Sequence, residues 1–167
     1  NDNEPVIDSK VISSTGGVRD PHILRSRGWQ DFLYVSNRYG FSQWMEFNRA
    51  MVLLKSTDLV NCLTPIINIQ KRYSGQEDLK RVWAPQTIYD PEVGKYMVYW
   101  SMLHGDGADV IYYAYANAEF TDLEGEQAIV SAGEREIVID GDIVYKDGVS
   151  TFYKTEGMER IKVHTGP

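Results

Sequence analysis

The chain has 167 residues, enough for one domain with a core of its own. A net charge of −7 without a Lys/Arg stripe argues against nucleic acid, and no apolar run approaches the length of a membrane span. The single cysteine, Cys62, excludes an internal disulfide and reads as a buried small hydrophobe, while 11 Tyr and 4 Trp suit strands and sugar-facing surfaces.

In chain order, residues 1–17 are polar and end in Ser13-Ser14-Thr15-Gly16-Gly17, which reads as a linker or a strand added from outside the main fold. Asp20-Pro21-His22-Ile23-Leu24 then opens a first unit, followed by a turn region and the strand Asp31-Phe32-Leu33-Tyr34-Val35-Ser36. The buried run Asn48 to Leu54 continues it, with a polar turn over Lys55-Ser56-Thr57-Asp58-Leu59.

A second unit repeats the plan. Ala84-Pro85-Gln86-Thr87-Ile88-Tyr89 leads into the turn Asp90-Pro91-Glu92-Val93-Gly94 and the strand Lys95 to Ser101. Gly105-Asp106-Gly107 is a turn before Val110 to Ala116, and the unit closes on Asp122-Leu123 as the first closes on Asp58-Leu59. The third unit has Asp140-Gly141-Asp142-Ile143-Val144-Tyr145, the turn Lys146-Asp147-Gly148, and Val149 to Lys154.

Pro21 and Pro85 are 64 residues apart, and Pro85 and Gly141 are 56 apart. Strand-rich units at that spacing, with no sustained 3.6-residue periodicity, predict an all-β chain of β-propeller blades. At about 60 residues per unit the chain holds about three blades, whereas propellers close with four to eight, so we expect the remainder to come from elsewhere, such as a second polypeptide. The expected division is a linker over 1–17 and blades one to three over 18–167.

Inner strands of propeller blades line a central channel, so polar residues at the start of each unit converge there. Those residues are Asp20, Gln86, and Asp140 or Asp142. Opposed carboxylates around a funnel are what glycoside hydrolysis needs, one taking a proton from water and one giving a proton to the leaving oxygen. Each has a plainer reading. Asp20 before Pro21 suits a strand start, and Asp140 and Asp142 around Gly141 suit turn residues or calcium ligands. His22 suits a packed histidine, Trp83 and Trp100 suit core, and Arg19 suits a surface charge or a carboxylate's partner.

The combination of Arg19-Asp20-Pro21-His22-Ile23, Trp83-Ala84-Pro85 before an aromatic hairpin, and Ile139-Asp140-Gly141-Asp142-Ile143 before another resembles glycoside hydrolase family 43. That family consists of five-bladed β-propeller enzymes that act with inversion on arabinose- and xylose-containing polysaccharides. The resemblance runs from about Gly17 to the end. It implies that Asp20 is the general base and that Asp140 orients the general acid and raises its pKa. It also implies that the acid itself, a glutamic acid of a fourth blade, is not in this chain. Glu156, in Thr155-Glu156-Gly157, stands at a strand's end and is a poor substitute.

Arg19, His22, Trp83, Gln86 and Asp142 are the expected substrate contacts; Gln86 stands where the family often has an acidic residue. No cofactor is expected, and the channel calcium sometimes found in the family uses a late histidine that this chain lacks. The expected partner is a plant-type polysaccharide or oligosaccharide. A chain that begins at Asn1 is compatible with a removed leader, so the expected setting is secreted, periplasmic or cell-surface. A non-catalytic carbohydrate-binding propeller is the alternative. The related sucrose- and fructan-processing enzymes also carry Arg-Asp-Pro, but in a middle blade rather than the first.

Overall fold

The computed structural model describes residues 8–13, 16–28, 30–40, 48–61, 65–132, 137–156 and 160–166. They form three antiparallel sheets, each built from strands consecutive in the sequence. The first holds β1 (Gly16–Arg25), β2 (Phe32–Gly40), β3 (Ala50–Ser56) and β4 (Ile66–Asn68). The second holds β5 (Leu79–Asp90), β6 (Lys95–His104), β7 (Val110–Ala116) and β8 (Leu123–Ala132). The third holds β9 (Val138–Lys146), β10 (Val149–Glu156) and β11 (Arg160–Gly166). These are three consecutive β-propeller blades, as the repeat predicts.

Helix among the described residues amounts to two single turns, α1 (Ser9–Ile12) and α2 (Ile69–Arg72). Within the 1–17 segment, Ser9–Ile12 form a turn of helix capped by Asp8. β1 begins at Gly16, two residues before the expected Val18. Cys62 lies outside the described residues.

The hairpins follow their turn chemistry. Asp147 and Gly148 both have positive φ, 53° and 79°, the two-residue pattern whose twist matches its flanking strands. Asp90 ends β5 and accepts hydrogen bonds from the backbone N–H of Glu92 and Val93 at 2.9 and 3.2 Å. The Tyr115 hydroxyl donates to its other oxygen at 2.6 Å, pinning the turn to β7.

Leu59 and Phe120 share a left-handed backbone, φ 62° and 56°, just past β3 and β7. The structural echo of Leu59 is thus Phe120, not Leu123. The closing turn after β7 is built on Asn117, whose side-chain oxygen accepts from the Thr121 and Asp122 N–H groups.

Alternating strand residues put an apolar layer between blades. Leu33, Val35, Met51 and Leu53 of blade one pack with Leu79, Val82, Val98, Trp100 and Met102 of blade two. Trp100 is core, not a sugar platform. Tyr99, Ile111 and Val138 seal blade two to blade three, with Ile88, Ile143 and Phe152 packed against them. Each such side chain contributes roughly 1.5–3 kcal/mol by leaving water. The inner strands are neighbours, β1 against β5 and β5 against β9.

Candidate active site at the inner-strand bulges

Each inner strand carries the same irregularity. Arg19 pairs with Asn37 and His22 with Val35; Trp83 pairs with Ser101 and Gln86 with Tyr99; Ile139 pairs with Thr155 and Asp142 with Tyr153. In all three the inner strand advances three residues while its partner advances two, a one-residue β-bulge. The first bulged residue is left-handed each time: Asp20 at φ 49°, Ala84 at 44° and Asp140 at 54°. Bulges re-aim side chains, and aspartate tolerates this backbone better than most residues.

Asp20 and Asp140 therefore occupy one position in blades one and three. Their counterpart in blade two is Ala84, not Gln86. Gln86 lies two residues further along, level with His22 and Asp142.

Gly141 is forced by packing. A Cβ there would stand 2.9 Å from Ile111 Cδ1 and 3.0 Å from Phe152 Cε2. The Asp-Gly-Asp sequence thus seats the bulge of β9 tightly against blade two.

Two other carboxylates bear on Asp140. Burial holds the Asp140 carboxyl above its ordinary range, and the negative charges of Asp20 and Asp109 push it the same way. Asp109, which sequence reasoning missed, is a fully buried aspartate at the entrance to β7. Arg81 donates to it twice, Nε to Oδ1 at 3.0 Å and Nη2 to Oδ2 at 2.5 Å. The same guanidinium lies 3.8 Å from the centre of the Trp83 ring, so it covers one face of that half-buried indole. The Arg81-x-Trp83 spacing, which sets alternate strand residues on one face, was the available signal for that stack; nothing local marks Asp109 as its partner.

The other expected contacts divide. His22 Nε2 donates to the Thr87 carbonyl at 3.0 Å, joining β1 to β5. Burial lowers its pKa, against the opposing pull of that carbonyl and of the Asp142 charge. Gln86 Oε1 accepts from the Tyr99 hydroxyl at 3.1 Å, and that hydroxyl accepts from the Ile143 N–H at 3.0 Å. Burial raises the Tyr99 pKa, and the Ile143 bond opposes the rise. Arg19 and Asp142 are exposed on β1 and β9. Among the described residues, no group of three or more His, Cys, Asp or Glu side chains is arranged to hold a metal ion.

Three meandering sheets in succession, with Asp20, Ala84 and Asp140 on the bulged inner strands, define a β-propeller. The chain belongs to the family described as probable glycosyl hydrolase domain, a branch like glycoside hydrolase family 43, whose model matches residues 1–166.

Solved structures share the fold. A thermostable family-43 glycoside hydrolase is 19% identical with a TM-score of 0.62, covering 83% of this chain and 41% of its own. A β-xylosidase/α-arabinofuranosidase from a compost microbial metagenome, solved with xylotriose, is 15% identical with a TM-score of 0.64, covering 90% and 44%. An α-L-arabinofuranosidase from Lactobacillus brevis is 11% identical with a TM-score of 0.62, covering 89% and 48%. The chain thus spans less than half the length of each of these proteins. No curated protein matches it.

Proposed function

We propose that these three blades carry the water-activating side of an inverting glycosidase centre. Asp20 is the general base and Asp140 the carboxyl that orients and tunes the acid. The observation that carries this reading is the shared bulge, which gives Asp20 and Asp140 the same left-handed position on two inner strands. The push that the Asp20 charge gives the Asp140 carboxyl, second to burial, supports the same reading.

In the reaction, Asp20 takes a proton from water as that water attacks the anomeric carbon. A carboxylic acid contributed from outside these blades gives its proton to the leaving oxygen. Asp140, close to that acid, disfavours its ionised form and keeps the proton available. Trp83, half-exposed and stacked on Arg81, offers a ring for a sugar face, while Arg19, His22 and Asp142 surround the cleaved unit. The substrate class is an arabinose- or xylose-containing polysaccharide or oligosaccharide, in keeping with an arabinofuranosidase and a xylosidase among the proteins that share the fold. The setting proposed is outside the cell or at its surface, and no resident cofactor is invoked.

The test is hydrolysis of arabinan, xylan and their oligosaccharides, followed by NMR of the first-formed anomer. The expected result is an inverted anomer from the full enzyme and loss of turnover in Asp20→Asn with its far-UV spectrum intact. Undiminished turnover in that variant overturns the base assignment. Binding of these glycans without any hydrolysis would favour a carbohydrate-binding propeller instead.

A further inference from the structure

Just beyond the three bulges, hydrogen bonds cross all three inner strands at one level. His22, two residues past Asp20, reaches the backbone carbonyl of Thr87, three residues past Ala84. Its neighbour Gln86 accepts from the Tyr99 hydroxyl. That hydroxyl takes the N–H of Ile143, three residues past Asp140. Thr87 is itself tied to β6, its hydroxyl donating to the Met97 carbonyl at 3.0 Å.

Tyr99 is the unusual member. It is 1% exposed, and the other fully buried members of its seam are Ile111 and Val138, with Tyr113 and five apolar side chains packed against them only partly buried. A hydroxyl in an apolar seam is costly unless it is hydrogen-bonded. Here it both donates and accepts, and it joins side chain to backbone across two blades. The alternative for the Ile143 N–H, on the edge of β9 away from β10, is an unpaired strand edge. An apolar seam alone can slide, because dispersion and burial have little directionality. Two hydrogen bonds at fixed lengths cannot slide without breaking.

We infer that Tyr99 is a positioning residue that locks the β9 bulge at the level of the β1 bulge, and so fixes how closely Asp140 faces Asp20. The inference rests on the proposed function only for its catalytic consequence. The geometric lock stands or falls without it. Gln86, expected as a substrate contact, acts in this lock by holding the Tyr99 hydroxyl in line with Ile143.

Tyr99→Phe tests this in the full chain. Loss of one buried hydrogen bond corresponds to roughly tenfold faster exchange of the Ile143 amide by NMR. The Asp140 carboxyl, followed by carbon-detected titration, should fall toward the ordinary carboxylate range as its approach to Asp20 loosens and water enters. Tyr73→Phe is the control. It also removes a buried hydroxyl, one without a hydrogen-bond partner among the described residues, from the core between blades, and should leave both readouts unchanged.

Where the protein turns over substrate, Tyr99→Phe should lower kcat about tenfold with little change in KM, since geometry of the reacting groups rather than binding is lost. Should Tyr99→Phe fail to fold, Gln86→Met removes the acceptor alone and is expected to give the same changes in smaller size. An Asp140 titration that matches wild type in a folded Tyr99→Phe or Gln86→Met chain overturns the inference. A shifted titration in a protein that hydrolyses nothing would uphold the lock and reject the glycosidase reading instead.

Discussion

Arg81 and Asp109 form a two-bonded ion pair inside blade two, with Asp109 1% exposed and the Arg81 side chain 19% exposed. The asymmetry of burial decides what breaking the pair does. Arg81→Met strands a carboxylate that water cannot reach, at a cost of roughly 3–5 kcal/mol. Asp109→Asn leaves a guanidinium that is partly solvated and keeps an amide oxygen to accept from it, so its cost is expected at about half that or less. Urea unfolding midpoints at constant slope make the comparison. Equal losses would show that the buried carboxylate is not the dominant penalty.

The Asp140 carboxyl gives stability a pH dependence of defined sign. Its folded pKa is raised above the unfolded value of 3.8 by burial first, then by the charges of Asp20 and Asp109. The folded chain holds this proton more tightly than the unfolded chain. The resulting stabilisation is complete below pH 3.8 and is lost as pH rises through the raised folded value. Asp140→Asn removes that dependence while keeping a residue that accepts the left-handed backbone. The expected outcome is a variant that gains on wild type between pH 3 and pH 7, read from denaturation midpoints across that range. A difference that does not change with pH would reject the carboxylate cluster.

Gly141 predicts a steric cost. In Gly141→Ala the new methyl would sit against Ile111 Cδ1 and Phe152 Cε2 inside ordinary contact distance. Both are side-chain atoms at the blade-two to blade-three seam, so relief needs a shift of β9 or a poorer rotamer, for roughly 1–3 kcal/mol. Thermal unfolding checks the loss, and Ile111→Val in the same chain should recover part of it by giving up the offending methyl. No recovery would mean that the backbone of β9, rather than the Ile111 contact, carries the cost.

Much of this architecture was legible in sequence because hairpin turns have strong local chemistry. Asp147-Gly148 and Asp90 to Gly94 mark their hairpins by residue type alone, and Pro21, Pro85 and Gly141 stand at equivalent places in three bulges. Position within a repeat picked out Asp20 and left Asp140 or Asp142 open in the third blade; the family resemblance chose Asp140, and the structure puts it at the bulge position that Asp20 has in the first. Position within the repeat misassigned blade two, because the bulged residue there is Ala84, which carries no functional group to notice. Asp109 and Tyr99 were illegible for a different reason. Their roles come from partners 28 and 44 residues away, Arg81 and Ile143, and no local pattern announces a contact between strands so distant in sequence. The helical turn of Ser9–Ile12 is too short for any periodicity to register.

Ala84 offers a test of the shared bulge that leaves Asp20 and Asp140 themselves unchanged. Its φ of 44° costs an L-residue with a Cβ roughly 1–2 kcal/mol. Aspartate at the matching positions of blades one and three bears this more easily, since its short polar side chain bonds locally, but alanine has no such compensation. Ala84→Gly removes the clash and gives back about 0.5–1 kcal/mol in unfolded-chain entropy, so the net is expected between no change and about 1.5 kcal/mol of added stability. Ala84→Val should lose more than 1 kcal/mol, because a β-branched residue is a genuine outlier at positive φ. Since Ala84 carries only a methyl and no charge, neither change should move the Asp140 titration unless it disturbs the bulge. A stabilised glycine variant together with a destabilised valine variant is the signature of the left-handed bulge; a valine variant as stable as wild type would mean that β5 does not bulge at Ala84 as β1 and β9 do at Asp20 and Asp140.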